Sequence, residues 1–212
     1  METIKRFPLG TVTNIKIKTA LSQVNVIDSS EDDIVLRWTD TKRRKSIAEL
    51  DGETLTVKDR ADAALYGIVG LIWLKEDKEM TLELPSGFDG TVEIDSKDES
   101  IRILGVNCPA KMFAKTVVAP IEVSASEIQS CEFKSQGGNI SLRGITGQKS
   151  ISAVTNTGNI ECYCSEKSSE YFFDCSSEHG KCNLPVVFKH GKKQIRLHSK
   201  TGSVTVNFAE NI

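Results

Sequence analysis

The chain has 212 residues, with 27 Lys and Arg against 29 Asp and Glu, and a formal charge of −2. Without a cation surplus to neutralise phosphates, nucleic-acid binding is excluded as a leading function. Apolar residues make up 39% and aromatic ones 6%, so the core must be aliphatic and small, and a deep aromatic cofactor pocket is not expected.

The amino terminus, Met1-Glu2-Thr3-Ile4-Lys5-Arg6-Phe7-Pro8, has no apolar run after its basic residues and so lacks the pattern of a secretory signal. A first unit follows: Ile15 and Ile17 alternate with polar residues before a corner at Thr19, and Val24 and Val26 alternate after it. Period-two alternation on both sides of a polar turn reads as two short strands with inward side chains at every second residue.

An insertion at about 30–85 comes next. It holds strand candidates at 33–38, 54–58 and 80–85, a basic turn Lys42-Arg43-Arg44-Lys45, and an apolar segment at 63–74. That segment is well short of the ~20 residues a membrane-spanning helix requires. With no signal peptide and no such helix, the expectation is a cytoplasmic protein, with peripheral membrane association through this segment. The insertion continues the sheet, so residues 1–212 are expected to form a single domain.

From Val92 onward the two-strand unit recurs. Its Ser/Thr corner marker stands at Thr19, Ser96, Thr116, Ser135, Thr155, Ser177 and Ser199, at intervals of 77, 20, 19, 20, 22 and 22 residues. The rows flanking the corner are apolar throughout, from Ile17, Ile94, Ala114, Phe133, Ala153, Cys175 and Leu197 before it to Val24, Ile101, Ile121, Ile140, Ile160, Cys182 and Val204 after it. Glycine occupies the third position after the marker at Gly138, Gly158, Gly180 and Gly202, where it is expected to supply a positive φ. A period of about twenty residues predicts an all-β, single-domain parallel β-solenoid, β-helix-like, with about seven or more coils of roughly 20 residues. Right-handed winding is favoured by the general crossover preference. Open ends would allow self-association through the ends or faces of such a rod.

Cys162, Cys164, Cys175 and Cys182, with His179, include zinc-ligand types, but no Cys-x-x-Cys occurs and Cys175 and Cys182 fall on inward apolar rows. They read as buried thiols acting as small hydrophobes, so neither a metal nor a cofactor is expected. Before the corner the outward rows read Lys16, Glu93, Phe113, Glu132, Ser152, Asp174, Arg196 and Lys18, Asp95, Lys115, Lys134, Val154, Ser176, His198, and after it Asn25, Arg102, Glu122, Ser141, Glu161, Asn183, Thr205; charges of both signs alternate with neutral residues and no three carboxylates stack on adjacent units. An enzyme is therefore not expected; the alternative reading is a carbohydrate-active groove enzyme on the β-helix scaffold.

The order of motifs Asp51-Gly52-Glu53-Thr54-Leu55-Thr56-Val57-Lys58, an apolar stretch, Thr81-Leu82-Glu83-Leu84-Pro85 and then several Ser/Thr-x-x-Gly-x-Ile copies resembles the bacterial putative-adhesin family of β-strand-repeat domains of unknown function. The resemblance covers nearly the whole chain and implies a β-solenoid without established catalytic activity. The expected function is then a non-enzymatic interaction or scaffold protein that binds a protein or membrane-surface partner. Docking would use the solenoid faces or the apolar residues Tyr66, Ile68, Val69, Leu71, Ile72 and Trp73, unless these cap the end of the rod. The structural corners are Ser135, Gly138, Thr155, Gly158, Ser177, Gly180, Ser199 and Gly202.

Overall fold

The computed structural model describes residues 2–40, 44–61, 79–184, 188–189 and 191–209. The first corner lies between β2 (Asn14–Thr19) and β3 (Gln23–Asp28), preceded by β1 (Glu2–Pro8). The insertion supplies β4 (Asp33–Thr39), β5 (Arg44–Asp51), β6 (Thr54–Ala61) and β7 (Glu79–Leu84). The recurring units form β8 (Thr91–Ser96), β9 (Ile101–Leu104), β10 (Asn107–Thr116), β11 (Ile121–Ser135), β12 (Ile140–Thr155) and β13 (Ile160–Cys164). After a single 3₁₀ turn at Ser168–Glu170 come β14 (Tyr171–Ser177), β15 (Phe188–Lys189), β16 (Lys193–Ser199) and β17 (Val204–Asn207).

The seventeen strands of the described residues belong to one mixed sheet, which curls so that its inward rows share a core. Two hydrogen-bonded ladders can be traced through it. The first runs β5, β6, β2, β8, β10, β11, β12, β16, β14, β15, and the second runs β1, β4, β7, β3, β9, β11, β12, β13, β17. The carboxyl-terminal halves of β11 and β12 lie in the first ladder and their amino-terminal halves in the second, which makes the sheet continuous. Alternation places Ile15, Ile17, Val24, Val26, Ile101, Ile103, Ile140, Leu142, Ile195 and Leu197 inside, none more than 1% exposed. Burying such a side chain contributes about 1.5–3 kcal/mol.

The all-β class holds, but the parallel β-solenoid does not. β4 runs antiparallel to both β1 and β7, β5 runs antiparallel to β6, and β15 antiparallel to β14. The picture of seven or more right-handed coils therefore gives way to a curled sheet of mixed direction. The physical reason is that a period of two assigns faces and says nothing about direction, since parallel and antiparallel strands alternate alike. Reversal is set by turns such as Gly52, whose φ of +55° supports the two-residue connection closing the Asp51↔Thr54 pair of the β5–β6 hairpin.

Spatial order also departs from chain order. Thr155 is paired with Ser199, and Ser199 with Ser177, so β16 lies between β12 and β14. The three units carry the same inward pattern, and the connection after β14, not the pattern, decides which strand occupies the middle.

The carboxyl-terminal end is closed by rings and by one amide. Phe208 packs on Tyr171 and Phe173 with centroids 6.1 and 5.7 Å apart. The Tyr171 hydroxyl donates to Glu166 Oε2 at 2.5 Å, and Lys193 pairs with the same carboxylate. At the rim of β17, the Asn183 side chain donates from Nδ2 to the Val206 carbonyl and accepts the Val206 N–H at Oδ1, both at 2.8 Å. It stands in for the peptide group of one more strand.

Candidate functional site

The corner residues form a ladder, buried at Ser135, Thr155 and Ser199 and half-buried at Ser177. Ser135, Thr155, Ser177 and Ser199 accept the N–H groups of Gly138, Gly158, Gly180 and Gly202 at 2.8, 3.2, 2.8 and 2.9 Å. Thr155 donates to the Gly138 carbonyl at 3.2 Å, Ser199 to that of Gly158 at 2.9 Å, and Ser177 to that of Gly202 at 2.7 Å. Each of these three hydroxyls thus closes its own corner and binds the next, in the order 135, 155, 199, 177.

These glycines do not have the positive φ expected of them; among the described residues positive φ occurs at Gly10, Gly52, Gly105, Gly144 and Ala125. Crowding selects glycine here. A Cβ would lie 1.9 Å from the Ala119 oxygen at Gly138, 2.0 Å from the Gly138 oxygen at Gly158, 2.3 Å from the Gly202 oxygen at Gly180, and 2.0 Å from the Gly158 oxygen at Gly202. The hydroxyls of Thr155, Ser177 and Ser199, engaged both as donor and as acceptor, hold backbone together and are poorly placed to act as nucleophiles.

Outward rows form two open grooves. On the first ladder, Lys16, Glu93, Phe113 and Glu132 lie side by side, as do Lys18, Asp95, Lys115 and Lys134. They line a groove of about 430 Å³. Phe113 stands in it 39% exposed. On the second ladder a groove of about 560 Å³ has Glu122, Ser141 and Glu161 along adjacent strands. Its carboxylates are tied to cations, Glu122 to Arg102 at 3.0 Å and Glu161 to Arg143 at 3.5 Å. Among the described residues no group of three or more His, Cys, Asp or Glu could hold a metal ion.

Cys131, Cys162 and Cys164 are buried, Cys175 and Cys182 half-buried, and all are free thiols. Cys162 and Cys164 point inward from the same strand with their sulfurs 3.5 Å apart. Burial pushes the Cys131 and Cys175 thiols up to about 12 and that of Cys108 to about 11. The hydrogen bond with Cys164, reinforced by burial, raises Cys162 well above its ordinary value. Thiols held protonated are poor nucleophiles and poor metal ligands.

One polar constellation arises only because β16 lies beside β14. Ser176 Oγ is 2.7 Å from His198 Nδ1, and His198 Nε2 is 3.5 Å from Asp174 Oδ2. The residue types match a nucleophile, base and orienting carboxylate, yet the His–Asp distance is too long for the hydrogen bond that fixes a tautomer. Asp174 also faces Arg196 at 3.9 Å. The sequence reading placed Ser176, His198, Asp174 and Phe113 on outward rows; which strands are neighbours was the missing information. Tyr66, Ile68, Val69, Leu71, Ile72 and Trp73 lie outside the described residues.

No family model and no curated protein matches the chain. Solved structures do. A putative cell adhesion protein from Clostridium sporogenes superposes with a TM-score of 0.54 at 10% identity, over 98% of this chain and 99% of that one. A putative adhesin from Bacteroides fragilis matches with a TM-score of 0.48 at 14% identity, over 98% and 97%. A putative adhesin from Parabacteroides merdae matches with a TM-score of 0.31 at 12% identity, over 98% and 93%. At 10% identity, what the chain shares with the Clostridium sporogenes protein is its fold.

Proposed function

We propose that this protein is a non-enzymatic interaction module, adhesin-like in the sense of binding a protein or membrane-surface partner. The observation that carries the reading is where the chemistry-bearing groups are. Hydroxyls of the corner ladder and the core thiols are engaged inside the fold, while the outward faces are broad, cross-paired and open. Such faces suit recognition over an area better than chemistry at a point. The Clostridium sporogenes protein of the same fold, named a putative cell adhesion protein, is consistent with this.

The apolar residues Tyr66, Ile68, Val69, Leu71, Ile72 and Trp73 are the proposed docking element, on the strength of their composition. The test is capture of partners from the native cell, with liposome cosedimentation in parallel, using wild type and Ile72→Ser/Trp73→Ser. Lost binding with an unchanged melting temperature is the expected result. A lowered melting temperature with binding retained would assign the segment to the core instead.

A further inference from the structure

Phe113 is unusual in this molecule because a ring that could sit in the core stands on the outer surface, 39% exposed, in the middle of a groove. Its surroundings are ordered as a cross. Along its own strand β10, the outward residues on either side are Lys111 and Lys115, each about 7 Å away at the strand rise. Across the sheet, its neighbours in register are Glu93 on β8 and Glu132 on β11, each about 4.8 Å away at the strand spacing. The frame therefore offers an apolar face at its centre, donors at two ends and acceptors at the two sides, within a groove whose lining carries four cations, Lys16, Lys18, Lys115 and Lys134, against three anions, Glu93, Asp95 and Glu132, with Lys111 just beyond it.

The groups of this frame are available. The side chains of Lys111 and Glu93 make no hydrogen bond or ion pair among the described residues. Lys115 pairs with Asp95 at 3.2 Å and Glu132 with Lys134, both at exposed sites where such pairs contribute little and exchange readily. Lys16 and Lys18, at the far side of the groove, likewise have no partner among the described residues.

We infer that this groove binds a neutral oligosaccharide, with one pyranose ring stacked on Phe113. The apolar C–H face of a pyranose matches an exposed aromatic ring, and the equatorial hydroxyls around its edge act as donors and acceptors at once. They can give protons to Glu93 and Glu132 and take them from Lys111 and Lys115. A singly charged partner fits less well, because an anion over the ring meets two carboxylates and a cation meets two ammonium groups. With both signs set around the ring, an uncharged polyol that donates and accepts at once is the better match. This inference rests on the binding-module reading and names the ligand class of one face.

The experiment probes an array of immobilised neutral hexose oligosaccharides, with acidic glycans and bare surface alongside, and measures the hits by titration calorimetry. Wild type is compared with Phe113→Ala, Phe113→Trp and Glu93→Gln/Glu132→Gln, each checked by thermal melting. The expected result is binding of a neutral glycan that weakens at least 10-fold in Phe113→Ala and in the double glutamine variant, is kept in Phe113→Trp, and is insensitive to salt. Retention of an unchanged sugar affinity by a folded Phe113→Ala, recognition of acidic glycans alone with steep salt dependence, or no saccharide bound at all would overturn it. Partner capture that survives in Phe113→Ala would leave the interaction-module reading standing while the saccharide site fails.

Discussion

At Gly158 a Cβ would stand 2.0 Å from the Gly138 carbonyl oxygen, whereas at Gly144, with φ of +64°, its nearest atom would be 3.7 Å away. The two glycines are needed for different reasons, and alanine should separate them. Gly144→Ala is expected to cost about 1–2 kcal/mol from the left-handed backbone alone. Gly158→Ala, which forces two backbones apart, is expected to cost about 3 kcal/mol, the upper end of ordinary overpacking, and to propagate to both adjacent corners. Urea melts of both variants check the ranking. The thiols make a second prediction at this scale. Cys131 ionises at about 12 in the folded chain against 9.0 as its ordinary value. A group whose folded pKa is raised contributes stability in full below the unfolded value and loses it as pH rises toward the folded one. Stability should therefore fall between about pH 9 and 12, by about 1.4 kcal/mol per pH unit for each such thiol. Cys131→Val should reduce the alkaline slope by about one proton, measured by urea melts at pH 8, 9 and 10.

Edges are managed at the scale of elements. β17 would leave the Val206 N–H and C=O open, and the Asn183 amide satisfies both. Asn183→Leu is expected to cost about 1–3 kcal/mol for the unsatisfied backbone groups and to expose a strand edge, giving concentration-dependent self-association by light scattering. The loop before β14 is held by Glu166, which takes the Tyr171 hydroxyl and the Lys193 ammonium. Burial raises the Glu166 carboxyl, but the bonds from Lys193 and Tyr171 outweigh it and hold the group below its ordinary value. A depressed folded pKa contributes stability that is present above the ordinary carboxylate value and is lost as pH falls through the folded one. Melting curves from pH 6 to pH 3 should therefore show an acid loss in wild type that Glu166→Gln largely lacks, the variant being less stable at pH 6. Neither device is legible in the sequence, because Asn183 reads as one more outward row residue and Glu166 as a residue between units until their partners, 23 and 27 residues away, are placed beside them.

For the whole molecule, the order of strands matters more than their number. β16 is hydrogen-bonded to β12 on one side and β14 on the other, so removing residues 193–212 takes out an interior strand. Truncation before Lys193 is expected to strip hydrogen-exchange protection from the carboxyl-terminal half of β12 and from β14 together. Protection that persists in β12 while β14 alone opens would contradict the central placement. The sequence by itself determined the all-β class, the inward rows and the hydroxyl–glycine corners, because alternation and residue size act locally and every copy repeats them. The same information located Phe113 and the lysines and glutamates on outward rows. Direction, neighbour and conformation were decided by tertiary structure. Period two is blind to strand direction, so β4, β5 and β15 turned out antiparallel and the parallel solenoid was lost. Identical inward patterns are interchangeable, so nothing in residues 171–199 required β16 to precede β14 in space. The corner glycines were legible as positions but not as causes, since the oxygen that excludes a Cβ belongs to the next corner and approaches only when the strands are packed.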